Sequence, residues 1–232
     1  MHPRQQGFTL IEIAIVLVII GLLLGGILKG QELITSARVR NLIAQQDGIK
    51  AAFFGFQDRF RAFPGDYAQA TTNIANVAAT AACNNGNGNG NGQIETTGNE
   101  MVLAWEHLSK AGFITGTYTC AATESATTTP LNPYNVRVQL IYDGVYGIAS
   151  SGAARHNIKT GAQIPVEIIA EIDRKIDDGL PYTGGFQFSA YQGGAAAAPT
   201  ENGANTCTSG NTTAATWNAT NGVTNCGGAS LL

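Results

Sequence analysis

Charged side chains are scarce in this chain of 232 residues, of which only 12% are Asp, Glu, Lys or Arg. The formal net charge is −3, and the 13 Lys and Arg residues are spread thinly along the sequence. Electrostatic binding of nucleic acid requires clustered positive charge. The composition therefore gives no indication of a nucleic-acid-binding protein.

Histidines and paired cysteine motifs are also scarce. The three histidines are His2, His107 and His156, and none lies near a cysteine with the spacing of a zinc site. No serine or cysteine occupies a nucleophile-elbow pattern. We expect His107 on the surface of a short amphipathic helix and His156 in a loop. Because no catalytic residues emerge, an enzyme is the least favoured hypothesis.

One long apolar run is present near the N-terminus. Residues 8–28 (FTLIEIAIVLVIIGLLLGGIL) contain a single charge, Glu12, and about 20 helical residues suffice to span a bilayer. A cleaved secretory signal has its small-residue cut site after the apolar stretch, whereas here the small residue, Gly7, precedes it. Arg4 favours a cytoplasmic N-terminus. We therefore predict a helical membrane anchor.

The helical pattern continues beyond the apolar run. Residues 29–63 contain no proline. Their large apolar side chains recur at intervals of three, four or seven, which places them on one helical face: Leu42, Ile49, Phe53, Phe56, Phe60 and Phe63. Pro64-Gly65-Asp66 ends this pattern. The sequence predicts one helix over 8–63, apolar all round in its first half and amphipathic in its second.

The remaining chain is patterned for short elements joined by long loops. Residues 84–92 (NNGNGNGNG) have no apolar side chain to bury and predict a flexible spacer. Asn99 is expected to cap a helix that reaches Lys110. Alternation of apolar and polar residues in 135–142 and 145–149 predicts the two strands of a hairpin.

A further helix and strand are predicted after this hairpin, whose turn would be Asp143-Gly144. Pro165 opens a helical pattern of isoleucines, and Gly179 ends it. The run FQFSAY at 186–191 predicts a strand. Residues 193–230 are rich in Gly, Ala, Asn and Thr and predict loops.

The segment Gly7-Phe8-Thr9-Leu10-Ile11-Glu12 leads directly into the apolar run. It resembles the N-terminal processing motif of type IV prepilins and pseudopilins, in the short-leader class with phenylalanine at the mature N-terminus. The resemblance is strong over residues 1–30 and fair through the long helix to Asp66. It implies an α+β fold shaped like a ladle, in which a long N-terminal α-helix packs on a small antiparallel β-sheet. Extra short helices and disulfide-stapled loops would complete the head.

The resemblance also implies how the chain is divided and processed. Residues 1–7 would be a cleaved leader, 8–28 the transmembrane and filament-core helix, 29–63 the amphipathic half of that helix, and 64–232 the head. A prepilin peptidase would cut between Gly7 and Phe8, and the new amine of Phe8 would be methylated. An inner-membrane assembly platform would then add the subunit to a helical filament of itself or other pilins.

Glu12 and Thr9 are the residues that this resemblance assigns to assembly. An ionisable group inside an apolar helix costs several kcal/mol unless it is paired. Glu12 would pair with the Phe8 amine of a neighbouring subunit, and Thr9 would hydrogen bond near that amine. A carboxylate that snorkels to the membrane surface is the alternative for Glu12.

The leading functional hypothesis is a structural subunit of a surface type IV pilus. Its precursor would lie in the bacterial inner membrane with the head in the periplasm. A pseudopilin of a type II secretion system, which stays in a periplasmic pseudopilus, is the main alternative. A minor or adhesive tip pilin and a membrane-anchored binding protein that does not polymerise are the others.

The four cysteines are Cys83, Cys120, Cys207 and Cys226. An even number of widely spaced cysteines in an exported chain indicates two disulfides, and three pairings are possible. We favour Cys83–Cys120 with Cys207–Cys226, because this pairing would staple two regions that have little core of their own. Free buried thiols are the alternative.

The densest group of carboxylates consists of Asp173, Asp177 and Asp178. Negative charge at the end of a helix is disfavoured by the helix dipole, which hints at a use such as a Ca²⁺ site or a turn closing on Thr183. Because Ca²⁺ needs six to eight oxygen ligands, the favoured readings are solvation and pairing with nearby basic side chains, Arg174 or Lys175. No other cofactor is predicted.

Overall fold

The computed structural model describes residues 9–232 of the chain. These residues form two units, one ending at Arg38 and the other running from Val39 to Leu232. Helix α1 (Leu10–Phe60) begins in the first unit and ends in the second. It stops three residues before the predicted end because Arg61 adopts a left-handed backbone, with φ 55°, which closes a helix without a further turn.

The second unit contains three more α-helices and four strands. The helices are α2 (Ala70–Asn73), α3 (Glu100–Lys110) and α4 (Val166–Ile176). Short 3₁₀ turns occupy Ala81–Gly86, Thr97–Asn99 and Ile148–Ser150. The strands are β1 (Gln139–Asp143), β2 (Arg155–Lys159), β3 (Phe186–Phe188) and β4 (Gly228–Leu231). They form one antiparallel sheet in the order β1-β2-β4-β3.

The predicted hairpin between 135–142 and 145–149 is wrong. Strand β1 pairs instead with β2, with Leu140 opposite Ile158. The segment after Asp143 leaves the sheet because Ala149 and Ser150 have positive φ values of 49° and 51°, which a strand does not allow. The alternating residues 145–149 therefore lie in a loop and not in a strand.

Strand β4 lies at the centre of the sheet, although the sequence predicted only loops for 193–230. Its residues, GASL, have little β-propensity, so no pattern announced the strand. Ser230 lies opposite Ile158 of β2 on one side and Phe186 of β3 on the other. Both neighbours pair with its backbone, and the ring of Phe186 occupies the space where a side chain at Gly228 would stand.

Residues 39–56 of α1 form one side of the hydrophobic core in the second unit. Val39 and Leu42 pack in one cluster with the isoleucines of α4, the two phenylalanines of β3 and Trp217. Ile49, Ala52, Phe53 and Phe56 pack in a second cluster with α3 and the apolar face of β1 and β2. The predicted apolar face of this helix is confirmed, and so is the α+β class with a small antiparallel sheet.

Helix α3 begins at Glu100, as predicted, but Asn99 does not cap it with its side chain. Asn99 has a left-handed backbone, and its Nδ2 donates to Ala82 O at 2.7 Å. The predicted surface position of His107 is also wrong, because the ring is fully buried. Its Nδ1 accepts from Gly65 N at 3.0 Å, so Nε2 carries the proton and donates to Gly86 O at 3.1 Å.

His107 therefore joins three segments of the head: α3, the turn that follows α1, and the 3₁₀ turn at Ala81–Gly86. Burial lowers the pKa of His107 to about 4, against an ordinary value of 6.5. Gly65 has a φ of 87° and lies directly against the backbone carbonyl of Glu100, so a side chain there would force the turn away from α3.

We predict that His107→Phe destabilises the head by about 2 kcal/mol or more at neutral pH, because it leaves a buried N–H and a buried carbonyl without partners. The folded pKa of His107 lies below its unfolded value, so the wild type loses this advantage as pH falls from 6.5 towards 4. The stability of the wild type relative to the variant should fall by about 3 kcal/mol over that range, so that an advantage of about 2 kcal/mol at neutral pH is lost by pH 4. Urea unfolding at several pH values measures it, and a pH-independent difference would contradict the assignment.

Candidate functional site

The predicted cleavage and methylation positions, Gly7 and Phe8, lie outside the described residues. They stay predictions. The described chain starts at Thr9, immediately before α1, and so includes the two residues predicted to act in assembly.

Thr9 and Glu12 form a capping box at the start of α1. The Thr9 backbone N donates to Glu12 Oε2 at 2.8 Å, and Thr9 Oγ1 donates to the same oxygen at 2.7 Å. The Glu12 backbone N lies 3.3 Å from Thr9 Oγ1. Such a box satisfies N–H groups that the first turn of a helix leaves unpaired. The Thr-x-x-Glu spacing of residues 9–12 is the sequence signature of this box.

The capping box orients the carboxylate of Glu12 without saturating it. Both bonds from Thr9 end on Oε2, and among the described residues Oε1 accepts no hydrogen bond. Negative charge at this position also favours the N-terminus of the helix dipole. Glu12 therefore has an aligned oxygen that is open to a further cationic donor.

The first half of α1 presents its apolar side chains without cover. Leu10 is 92% exposed and Leu22 75% exposed, and the other large apolar residues up to Leu28 are between 46% and 69% exposed. By length and composition α1 can cross a membrane, with a mean hydropathy of 2.9 over its most apolar window. Gly21, Gly25 and Gly26 have open space where a side chain would stand, so another helix can approach closely there.

Comparison with known protein families identifies this N-terminal segment. Residues 2–28 match the family described as the prokaryotic N-terminal methylation motif, which is the hallmark of type IV pilin and pseudopilin precursors. The chain thus carries the N-terminal motif that is typical of type IV pilin and pseudopilin precursors, with an apolar helix that fits a membrane anchor. No curated protein and no solved structure matches the chain.

The four cysteines form two disulfides in the structure. Cys83 is joined to Cys120, and the pair packs against Val102 and Leu103 of α3. Cys207 is joined to Cys226 within the core cluster that contains Trp217. The pairing is the sequential one, and each bond closes one of the two loop-rich regions.

We predict that non-reducing peptide mapping recovers one linked peptide pair containing Cys83 and Cys120 and another containing Cys207 and Cys226. Closing a loop of this size is worth about 3 kcal/mol, so Cys207→Ser with Cys226→Ser should lower the stability of the head by about that amount. A peptide that links Cys83 to Cys207 would refute the pairing.

The carboxylates of Asp173, Asp177 and Asp178 do come together, with oxygens within 4.8 Å of one another. Asp173 is fully buried and accepts from Trp217 Nε1 at 2.6 Å. Asp177 accepts from Phe186 N at 2.7 Å. Asp178 accepts from Thr183 Oγ1 at 2.5 Å. Burial raises the pKa of Asp173 to about 7, although the bond from Trp217 opposes the shift.

These contacts make the acidic cluster a connector. It joins the end of α4 to the start of β3 and, through Trp217, to the loop closed by the second disulfide. The predicted pairing with Arg174 and Lys175 is wrong, since both side chains pair with Glu171, at 2.6 Å and 3.2 Å. A Ca²⁺ site would need oxygens beyond these three groups.

We predict that millimolar Ca²⁺ leaves the melting temperature of the protein unchanged, because each carboxylate already accepts an N–H or O–H group. Thermal unfolding with Ca²⁺ or with EDTA measures this. A rise in melting temperature that disappears in Asp178→Asn, but persists in the control Glu171→Gln, would establish a Ca²⁺ site instead.

The segment 84–92 is not the free spacer that was predicted. It wraps around Asp66, which is only 3% exposed, and its backbone donates to that carboxylate from Gly90, Asn91 and Gly92. The neighbouring Glu100 accepts from Asn89 N at 2.8 Å. Burial raises the pKa of Asp66, against the bonds from these amides, and raises that of Glu100 to about 7.

A second polar group missed from the sequence lies on the face of the sheet away from α1. Lys159 and Asn157 of β2 are buried and both contact Asp143, at 2.5 Å and 2.9 Å. Burial lowers the pKa of Lys159, while Asp143 opposes the shift. Glu124 extends the network by accepting from Tyr191 at 2.7 Å. The sequence predicted no strand over 155–159 and placed His156 in a loop, which is wrong because His156 lies in β2. This polar face of the sheet was therefore not expected.

Proposed function

We propose that the mature chain is a structural subunit of a type IV pilus-like filament, formed after a prepilin peptidase cuts between Gly7 and Phe8. The methylation motif at residues 2–28 supports the processing step. In this proposal the precursor waits in the inner membrane with its head in the periplasm, as Arg4 in the leader favours. An assembly platform then transfers it to the filament.

The uncovered apolar helix is the observation that carries this proposal. Large apolar side chains over residues 10–28 have no cover within the described chain, and burial of such side chains is worth about 1.5–3 kcal/mol each. A membrane satisfies this requirement before assembly, and a bundle of like helices satisfies it afterwards. When the subunit leaves the membrane, the filament core replaces lipid as the apolar environment of this helix.

Glu12 gives that bundle its register. Its carboxylate is aligned by Thr9, and its second oxygen accepts no bond from the described residues. An unpaired charge among apolar helices costs several kcal/mol. The methylated amine of Phe8 on a neighbouring subunit is a cation of the right kind. Only an arrangement that brings the amine to Glu12 avoids the cost, so pairing selects one position for the incoming subunit.

We predict that Glu12→Gln lowers the amount of filament at least about tenfold, since it removes the charge of a buried pair but keeps an oxygen that can cap α1. Cleavage after Gly7 should continue, as mass spectrometry of the mature N-terminus will show. Thr9→Ser keeps the hydroxyl of the box and should assemble. Glu32→Gln, which breaks only an exposed pair with Lys29, is the matched control.

The comparison of variants separates the possible roles of Glu12. If Glu12→Gln assembles normally while Glu12→Val does not, capping rather than charge pairing is the role. A different result would be that Glu12→Val is cleaved and stays in the membrane, and that the wild type forms no filament either. In that case the chain is an anchored protein that does not polymerise.

A pseudopilus of a type II secretion system is the second candidate, since the same N-terminal residues would serve it. The head, with two disulfides and extra helices, also suits a minor or adhesive subunit. Electron microscopy of cells labelled with antibody against the head separates these: long surface fibres labelled along their length indicate a major pilin, labelled tips indicate a minor one, and absence of surface label with periplasmic filaments indicates a pseudopilin.

A further inference from the structure

Asparagine followed by glycine is a chemically labile pair. The backbone nitrogen of the glycine attacks the side-chain carbonyl carbon of the asparagine, a C–N bond forms and ammonia leaves. Water then opens the resulting succinimide to aspartate or isoaspartate. Glycine favours the attack because it has no side chain to hinder it. This chain contains six such pairs, which begin at Asn85, Asn87, Asn89, Asn91, Asn202 and Asn221.

By sequence alone the repeat at 84–92 is the most labile segment, because four of the six pairs lie in it. The structure opposes this expectation. Gly90 N donates to Asp66 Oδ1 at 2.7 Å and to the Asp66 carbonyl at 3.0 Å. Gly92 N donates to Asp66 Oδ2 at 2.9 Å. Gly88 N donates to the Tyr67 carbonyl at 3.0 Å.

These bonds act on the attacking atom itself. The amide nitrogen attacks after it loses its proton, and a carboxylate that accepts this proton in a hydrogen bond stabilises the protonated form. The negative charge of Asp66 also repels the anion that would form at Gly90 or Gly92. A charge-assisted hydrogen bond contributes about 1.5–3 kcal/mol, which corresponds to a tenfold to hundredfold lower population of the reactive state.

The asparagine side chains of the repeat are held as well. Asn89 Nδ2 donates to Glu95 Oε2 at 3.1 Å, and Asn91 Nδ2 donates to the same oxygen at 2.8 Å. Their Oδ1 atoms accept from the backbone two residues further on. Gly88 lies directly against the backbone of Asp66, where no Cβ would fit, so the loop cannot shift without opening.

The pair Asn221–Gly222 lies in different surroundings. Both residues are exposed, and in the described chain the Gly222 amide donates no hydrogen bond. The Asn221 Nδ2 donates to Ala204 O at 2.6 Å, and its Oδ1 accepts a long bond from Thr220 Oγ1 at 3.5 Å. The backbone nitrogen of Gly222, which is the attacking atom, is therefore open to solvent and to base.

We propose that Asn221 is a site of spontaneous deamidation in the folded protein, and that Asp66 protects the Asn–Gly pairs at Asn89 and Asn91 from the same reaction. Each event replaces a neutral amide with a carboxylate. Over time the modification therefore adds negative charge to the loop between the last two cysteines, while Asn89 and Asn91 stay intact.

The test uses the purified full-length protein in detergent, incubated at mildly alkaline pH, with peptide mapping by mass spectrometry at successive times. In the wild type Asn221 should deamidate at least about tenfold faster than Asn89 and Asn91. In Asp66→Asn the rates at Asn89 and Asn91 should approach that of Asn221. Asn87 is an internal reference, because the amide that follows it bonds to Tyr67 and not to the Asp66 side chain.

Asp58→Asn is the matched control, since its carboxylate is 82% exposed and the same charge is removed. Its deamidation rates should equal those of the wild type. Wild-type rates at Asn89 and Asn91 as fast as at Asn221 would overturn the proposal. So would slower deamidation of these two residues in Asp66→Asn, because Asp66 would then act as a base that promotes the reaction.

If Asp66→Asn does not fold, the wild type in urea replaces it. All Asn–Gly pairs are then equally exposed, and the rates at Asn89 and Asn91 should rise to that of Asn221. A ratio of rates that is the same in native buffer and in urea would show that the fold gives no protection, and would refute the role of Asp66.

Discussion

The packing of one helical face, from Val39 to Phe56, determines most of the head. Val39 and Leu42 meet α4, β3 and Trp217, while Ile49, Phe53 and Phe56 meet α3 and the sheet. Each cluster joins segments that are distant from one another in sequence, so the helix is the common surface on which these segments assemble. Loss of this face would leave α3, α4 and the sheet without a shared partner.

Buried and half-buried carboxylates that accept N–H groups hold the loops of the head in place. Asp66 organises the repeat at 84–92, Glu100 holds the segment beside it, and Asp173 and Asp177 connect α4 to β3 and Trp217. A chain rich in Gly, Asn and Thr has little apolar surface to bury. Its loops are ordered instead by polar groups that satisfy one another.

The parts of this structure that the sequence could predict are those with a local or periodic cause. The apolar run, the amphipathic face of α1 and the helix after Pro165 follow from spacing alone. Strand β4 and the buried position of His107 could not be predicted, because both depend on partners distant in sequence, such as Ile158 for Ser230 and Gly86 for the imidazole. The capping box of Thr9 and Glu12 belongs to the first group, since its spacing is local.

The place of β4 in the sheet has a consequence for how the head is made. β4 lies between β2 and β3, yet it follows both along the chain. During synthesis, β2 and β3 each present an unpaired edge until residues 228–231 arrive, and open edges invite pairing with other chains. The bond between Cys207 and Cys226 fixes a position two residues before Gly228. It therefore lowers the loop-closure entropy that β4 loses when it pairs with its neighbours. The bond between these two cysteines thus tethers β4 close to the two strand edges that it covers.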